Sequence, residues 1–168
     1  MDQLVVGILH PGSMDAAVAA CATTNAAADL WCAEGRSPAS AARAEQFGLE
    51  LVPTLQELLE QSDIVISLCP PAAAESLARK VATCRFDGVY VEANAINAER
   101  TVRIADVLAT TAATVVDGGV VGSPPAGGKT PTLYLSGPVG AAVYVEAVFA
   151  GTAVRTKAWV PRSGRHPR

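Results

Sequence analysis

Histidine is scarce in this chain: there are two, His10 and His166. Neither assembles with a serine and an acid into a Ser-His-Asp triad. The four cysteines, Cys21, Cys32, Cys69 and Cys84, include no Cys-x-x-Cys pair and no neighbouring histidine cluster. That spacing argues against a zinc site and fits reduced thiols. Charge is sparse as well, at 17%, while half the residues are hydrophobic. A disordered chain needs the opposite balance. The 14 glycines follow no triplet period, so the chain is not collagen-like. No run of about 18 apolar residues escapes polar punctuation, so no transmembrane helix is expected. Asp2 and the lack of a basic leader argue against a signal peptide, which leaves the cytoplasm as the expected location. No internal repeat is present.

What is there fits one domain of 168 residues. A chain of about 150 residues buries roughly 68–70% of its unfolded surface, enough for a real core. Net charge is −3, unevenly spread. Residues 1–154 carry 8 Lys/Arg and 16 Asp/Glu, and residues 155–168 carry 5 basic residues and no acid. The acidic body argues against a nucleic-acid surface. The basic end, with Pro161 and Pro167 and no periodicity, reads as a disordered tail.

Short β-branched runs alternate with Ala-rich stretches. Strands are expected at Leu4–Leu9, Asp29–Ala33, Leu49–Val52, Asp63–Leu68, Gly88–Glu92, Ala113–Val121 and Thr132–Ser136. Helices are expected at Ala16–Ala28, after the Ser37-Pro38 start, from Thr54 to Gln61, and over Ala72–Thr83, Asn97–Thr111 and Pro138–Ala150. Ser37 serves as a cap with Pro38 at the first helical position. Thr54 and Glu57 have capping-box spacing. The order predicts an α/β fold: a doubly wound, mostly parallel sheet of Rossmann type with helices on both faces.

In such sheets ligands bind beyond the carboxyl ends of the strands. The first strand runs into His10-Pro11-Gly12-Ser13-Met14-Asp15 and then a helix. A strand–Gly turn–helix start offers free amides and a positive dipole end to a phosphate. Aligned on G-x-G-x-x-G, the three glycine places hold His10, Gly12 and Asp15, so only the middle glycine survives. Gly12 lets a pyrophosphate approach the backbone, and the amides of Ser13 and Met14 would hold it. Asp15 puts a side chain where helix and strand pack closely, and a negative charge near a phosphate. His10 has a loop-shaping or phosphate-contact role. A tight turn with no ligand is the plainer alternative.

About 20 residues further on, the second strand ends in Glu34-Gly35-Arg36-Ser37. An acid there accepts from ribose hydroxyls and favours NAD. An Arg neutralises a 2′-phosphate and favours NADP. Arg36 with the Ser37 hydroxyl makes the phosphate seat, so NADP is expected ahead of NAD. Cys69-Pro70 and Asn94, at the ends of the fourth and fifth strands, should line the same crevice toward the nicotinamide. Cys69 has no basic partner and reads as a small apolar residue, not a nucleophile.

Taken together these segments resemble the NADP-binding domain of the 6-phosphogluconate dehydrogenase and 3-hydroxyisobutyrate (β-hydroxyacid) dehydrogenase superfamily. The resemblance runs from about Leu4 to about Thr152. It rests on the Gly turn with Met14, on Arg36-Ser37, on Asp63 to Pro70, on Val91 to Ile96, and on Val116 to Gly122. The His10-Pro11-Gly12 turn and the Asp117–Pro125 segment look most like a branch described as 6-phosphogluconate dehydrogenase-like, in which His10 is expected.

The resemblance implies hydride transfer between NADP(H) and a small hydroxy acid, imine or related carbonyl substrate. It implies a substrate-binding Ser-Gly-Gly near Val121-Gly122-Ser123, which makes Gly122 and Ser123 substrate candidates although Val121 replaces the serine. It places the catalytic Lys on an all-α C-terminal domain, outside this chain. Lys157 does not match that helix and receives no catalytic role. Two alternatives stay open: a truncated, non-catalytic nucleotide-binding module that needs a partner chain, and a Rossmann-like domain that lost nucleotide binding through Asp15. Self-association is expected if the last helix and the Thr132–Ser136 edge expose apolar surface.

Overall fold

A computed structural model describes residues 3–159. Its frame is one sheet of eight strands in the order β3-β2-β1-β4-β5-β6-β7-β8. In chain order the strands are β1 (Val5–Ile8), β2 (Ala28–Cys32), β3 (Glu50–Val52), β4 (Ile64–Ser67), β5 (Val89–Glu92), β6 (Thr114–Val121), β7 (Thr132–Ser136) and β8 (Arg155–Trp159). Only the β6–β7 pair is antiparallel. The helices are α1 (Ser13–Ala22), α2 (Pro38–Gln46), α3 (Leu55–Gln61), α4 (Ala74–Thr83), α5 (Ala98–Leu108) and α6 (Val139–Phe149).

The helices lie in two layers, one on each face of the sheet. On one face Val18, Ala19 and Ala22 of α1, Ala44 of α2 and Val145, Val148 and Phe149 of α6 pack on Val6, Ile8, Ile66, Val91 and Val116. On the other, Leu58 of α3, Leu77 and Val81 of α4 and Ile104 and Leu108 of α5 pack on Leu30, Val65 and Tyr90. Strands flanked on both sides read as continuous apolar runs, and β4 is buried throughout.

The caps form as their spacing predicts. The Ser37 side chain accepts from the Ser40 amide at the start of α2, with Pro38 in the first turn. Thr54 accepts from the Glu57 amide to open α3. Asn97 accepts from the Arg100 amide to open α5. Glu75 on α4 receives Arg100 and Arg103 of α5 at 2.8 and 3.1 Å, a tie between neighbouring helices.

Three boundaries differ from expectation. Helix α1 starts at Ser13 and stops at Ala22, although alanine continues to Ala28. Asn25 explains the stop: its side-chain amide donates to the carbonyls of Val148 and Ala150 at 2.9 Å each, holding the turn against the end of α6. A tertiary contact overrides alanine's helix propensity. The Ala72–Thr83 stretch opens as a 3₁₀ turn, Pro71–Ala73, before α4.

The third difference is the larger correction. The tail expected to be disordered from Arg155 begins instead as strand β8, paired in parallel with β7 from Thr132↔Arg155 to Ser136↔Trp159. Buried Val154 anchors its entry. An edge strand needs only one row of backbone bonds, and basic side chains are common guards of such edges. The basic composition therefore misleads. Residues 160–168, with His166, Pro161 and Pro167, lie outside the described residues.

Candidate functional site: the crevice at the carboxyl ends of the strands

Neighbouring strands β2, β1, β4 and β5 all end on one edge of the sheet. Three strand spacings of about 4.8 Å set the width of the crevice there at about 14 Å. Its centre is the turn between β1 and α1. Gly12 precedes the helix with extended backbone, so its φ does not demand glycine. Space does: a Cβ on Gly12 would stand 2.5 Å from Asp15 Oδ2. The first helical bond runs from the Ala16 amide to the Gly12 carbonyl. Among the described residues no acceptor pairs with the amides of Ser13 and Met14. These are the unsatisfied donors of a helix start, reinforced by the dipole.

Two arginines grip this turn from α2 and the loop before it. Arg36 donates from a guanidinium nitrogen to the Leu9 carbonyl at 2.8 Å. Arg43 donates from Nε to the Pro11 carbonyl at 3.1 Å. The Arg36 Nε is buried and has no partner. Glu34, the acid expected to compete with Arg36, is occupied elsewhere: its carboxylate accepts from the Leu55 amide at the start of α3, at 3.2 Å. Ser37 is exposed and caps α2. A cavity of about 600 Å³ lies beside this corner, lined by Cys32, Glu34, Arg36, Leu55, Leu77 and Lys80 among others.

Asp15 is 7% exposed. Its Oδ2 accepts from the Gly12 amide at 3.0 Å, and its Oδ1 has no partner. Burial pushes this carboxyl up to about 7, against the opposing pull of the amides of Gly12 and Asp15 and the charge of Arg43. His10 Nδ1 lies 3.7 Å from Asp15 Oδ2. Burial, and then the Arg36 charge, hold His10 below its ordinary value, so it is a neutral imidazole near pH 7.

The far half of the crevice is built on Asn94. Its Oδ1 accepts from the Cys69 amide at 2.5 Å, and its Nδ2 donates to Ser67 Oγ at 3.1 Å and to Glu92 Oε1 at 2.5 Å. This network ties the ends of β4 and β5 together. Glu92 is fully buried, and burial raises its pKa with help from the Asp117 charge. Burial likewise keeps the Cys69 thiol protonated, as does the nearby Glu92 charge. A cavity of about 220 Å³ opens here between Met14, Leu68, Ala93, Asn94, Ala95, Gly119 and Val120. Among the described residues, no titratable side chain lines it.

Thus the structure brings together His10, Pro11, Gly12, Ser13, Met14 and Arg36 around one turn, and Cys69 and Asn94 beside it, while Ser37, next to Arg36 in the chain, turns its hydroxyl to the start of α2. Pro70 follows Cys69 at the exposed rim. Gly122 and Ser123 stand apart. They are exposed beyond the end of β6, where Gly122 approaches Pro131, and Gly119 and Val120 line the cavity in their place. Arg43 and Glu92 escaped the sequence reading. Arg43 sits mid-helix in α2 with no motif around it. Glu92 was visible only as the last residue of a strand. Among the described residues no cluster of His, Cys, Asp or Glu is placed to hold a metal, and no helix is long and apolar enough to cross a membrane.

Comparison with known proteins agrees with this fold. Residues 7–160 match the family described as the NAD binding domain of 6-phosphogluconate dehydrogenase. No curated protein matches. Among solved structures, a conserved protein of unknown function, reported as similar to 3-hydroxyacid dehydrogenases, superposes with a TM-score of 0.80 at 21% identity. It covers 94% of this chain and 58% of its own. The 3-hydroxyisobutyrate dehydrogenase of Mycobacterium tuberculosis, solved with L-serine, gives 0.81 at 16% identity over 93% of this chain and 54% of its own. A reductive aminase from Aspergillus terreus, solved with NADPH and ethyl-5-oxohexanoate, gives 0.74 at 18% identity, over 94% and 55%. The chain therefore spans little more than half the length of these structures. At such identities the likeness concerns the fold.

Proposed function

The chain belongs to the family of NAD-binding domains of 6-phosphogluconate dehydrogenase, and from that premise we propose that its crevice binds NADP(H) in preference to NAD(H). The diphosphate lies over Gly12 against the amides of Ser13 and Met14, with His10 and Pro11 shaping the turn. Arg36 and Ser37 take the 2′-phosphate. The nicotinamide end lies toward Cys69, Pro70 and Asn94. The observation that carries the preference is the pairing at the end of β2. Glu34, the residue that would favour a free ribose, already accepts from the first amide of α3, whereas the Arg36 guanidinium lines the cavity at this corner with one nitrogen tied to the Leu9 carbonyl. The unpaired amides of Ser13 and Met14 support an approach of phosphate to this backbone.

Within a complete protein the activity proposed is hydride transfer between NADP(H) and a small hydroxy acid, imine or related carbonyl compound. The bound nicotinamide supplies or accepts the hydride. This chain's own residues bind and orient. Asn94, held on both sides by the Cys69 amide and Glu92, would help to hold the nicotinamide end. Gly122 and Ser123 remain substrate candidates at the rim. The lining of the nicotinamide-side cavity supports one further reading: the group that moves the substrate proton comes from outside that lining, and the chain acts as a nucleotide-binding module that needs a partner chain to turn over. Arg36→Ala tests the cofactor assignment. NADPH affinity should fall about tenfold to a hundredfold while NADH affinity changes little. Unchanged NADPH affinity would remove the assignment.

A further inference from the structure

Asp15 stands at the third glycine place of the turn, and the structure shows what a carboxylate does there. It bends back over the start of α1 and accepts from the Gly12 amide at 3.0 Å. It is 7% exposed, and its second oxygen has no hydrogen-bond partner. It thus places a carboxyl group inside the turn where the diphosphate of the proposed ligand has to lie. We infer that Asp15 is a charge gate on the dinucleotide crevice: the turn takes the diphosphate when the Asp15 carboxyl is neutral, and the ionised carboxylate repels it. This rests on the reading of the crevice given above.

The groups around Asp15 fit such a gate. From its own turn it faces His10, whose imidazole burial holds below its ordinary value and which therefore gives the carboxylate little counter-charge near pH 7. From α2 comes Arg43, whose Nε is committed to the Pro11 carbonyl. From the loop after β2 comes Arg36, one nitrogen of which is committed to the Leu9 carbonyl. From the end of β4 comes Cys69, a protonated thiol, with buried Glu92 behind it on β5. An ionised Asp15 would draw the field of Arg43 onto itself. A neutral Asp15 leaves that field, and the free amides of Ser13 and Met14, to a phosphate. Burial supports the switch, since it holds the carboxyl near 7, where ordinary changes of pH move it. Linkage then requires that dinucleotide binding draw a proton onto Asp15.

The test is a fluorescence titration of the full chain with NADPH at about pH 6 and about pH 8, for the wild type, Asp15→Asn and Asp15→Gly. Asparagine keeps the hydrogen bond to Gly12 and removes the charge, and glycine restores the motif. If only the neutral form binds and the group titrates near 7, the wild-type Kd should rise about tenfold from pH 6 to pH 8. Both variants should bind more tightly than wild type at pH 8, with a much flatter profile. The 2′-phosphate titrates in the same range, but it is common to all three proteins and cancels in the comparison. Calorimetry in two buffers of different ionisation enthalpy gives a second readout: the wild type takes up more protons on binding than Asp15→Asn. Equal pH profiles and equal proton uptake would overturn the gate and leave the cofactor reading standing. Absence of NADPH and NADH binding in all three proteins at both pH values would overturn both.

Discussion

Asp29 gives the sharpest test of how this sheet is held together. It sits on β2, next to the central strand β1, and is 3% exposed with neither carboxylate oxygen hydrogen-bonded. Burial alone pushes its carboxyl up to about 7. In the unfolded chain an aspartate titrates near 3.9. Between these values the folded state holds a proton that the unfolded state has lost. Stability therefore falls as pH rises from about 4, and the fall levels off above about 7. Integrated from about pH 5.5 to about pH 8, one such group lowers stability by about 2 kcal/mol. Asp15 has the same direction and a similar value, so the pair together lowers stability by about 4 kcal/mol over that interval.

A fold with a stability of roughly 5–15 kcal/mol feels a change of that size. Asp29→Val, which suits a buried strand, removes one of these terms and leaves those of Asp15 and of the other raised carboxyls, Glu92 and Asp117, in both proteins. With a urea slope of about 2 kcal/mol/M, the wild-type midpoint should drop by about 2 M across the interval and that of the variant by about 1 M. The variant should also be the more stable protein at the alkaline end. The assay is urea denaturation followed by circular dichroism at both pH values. If the pH dependence of the wild type and Asp29→Val coincides, the burial of an unpartnered Asp29 is refuted.

Further outcomes follow from the packing. Gly7→Ala should destabilise the fold by about 1–3 kcal/mol or more in the same assay. Its Cβ would stand 2.5 Å from Ser62 Oγ and 2.7 Å from Leu58 Cδ2, where α3 lies on β1. Asn94→Ala should weaken dinucleotide binding and also lower stability by about 1–3 kcal/mol, because the buried Glu92 carboxyl and the Cys69 amide lose their partner. Light scattering should find the chain self-associated. Val139, Val143 and Tyr144 of α6 are 60%, 53% and 56% exposed, and Trp159 on β8 is 73% exposed. A clean monomer would contradict that expectation.

The fold was readable wherever local chemistry decided the outcome. Ser37-Pro38, Thr54 with Glu57, and the apolar run of β4 each carry their structure in a few adjacent residues. It was unreadable where a distant partner decided. The alanines on either side of Thr23-Thr24-Asn25 promise more helix, and the side chain of Asn25, reaching the end of α6, holds the turn in which the helix stops. In β8 the basic residues hid a strand whose partner, β7, lies some 23 positions earlier in the register. The site divides in the same way. Gly12, Arg36 and Asn94 follow from motif spacing and the ends of strands. The diversion of Glu34 to α3, the hold of Arg43 on Pro11 and the support of Asn94 by Glu92 need the third dimension.

The most direct test of the whole account is a fluorescence titration of the 168-residue chain with NADPH and with NADH, at about pH 6, where Asp15 is neutral. Saturable binding of NADPH, at least about tenfold tighter than that of NADH, is the predicted result. Equal affinities would contradict the role given to Arg36 and Ser37, and no binding of either would contradict the crevice itself.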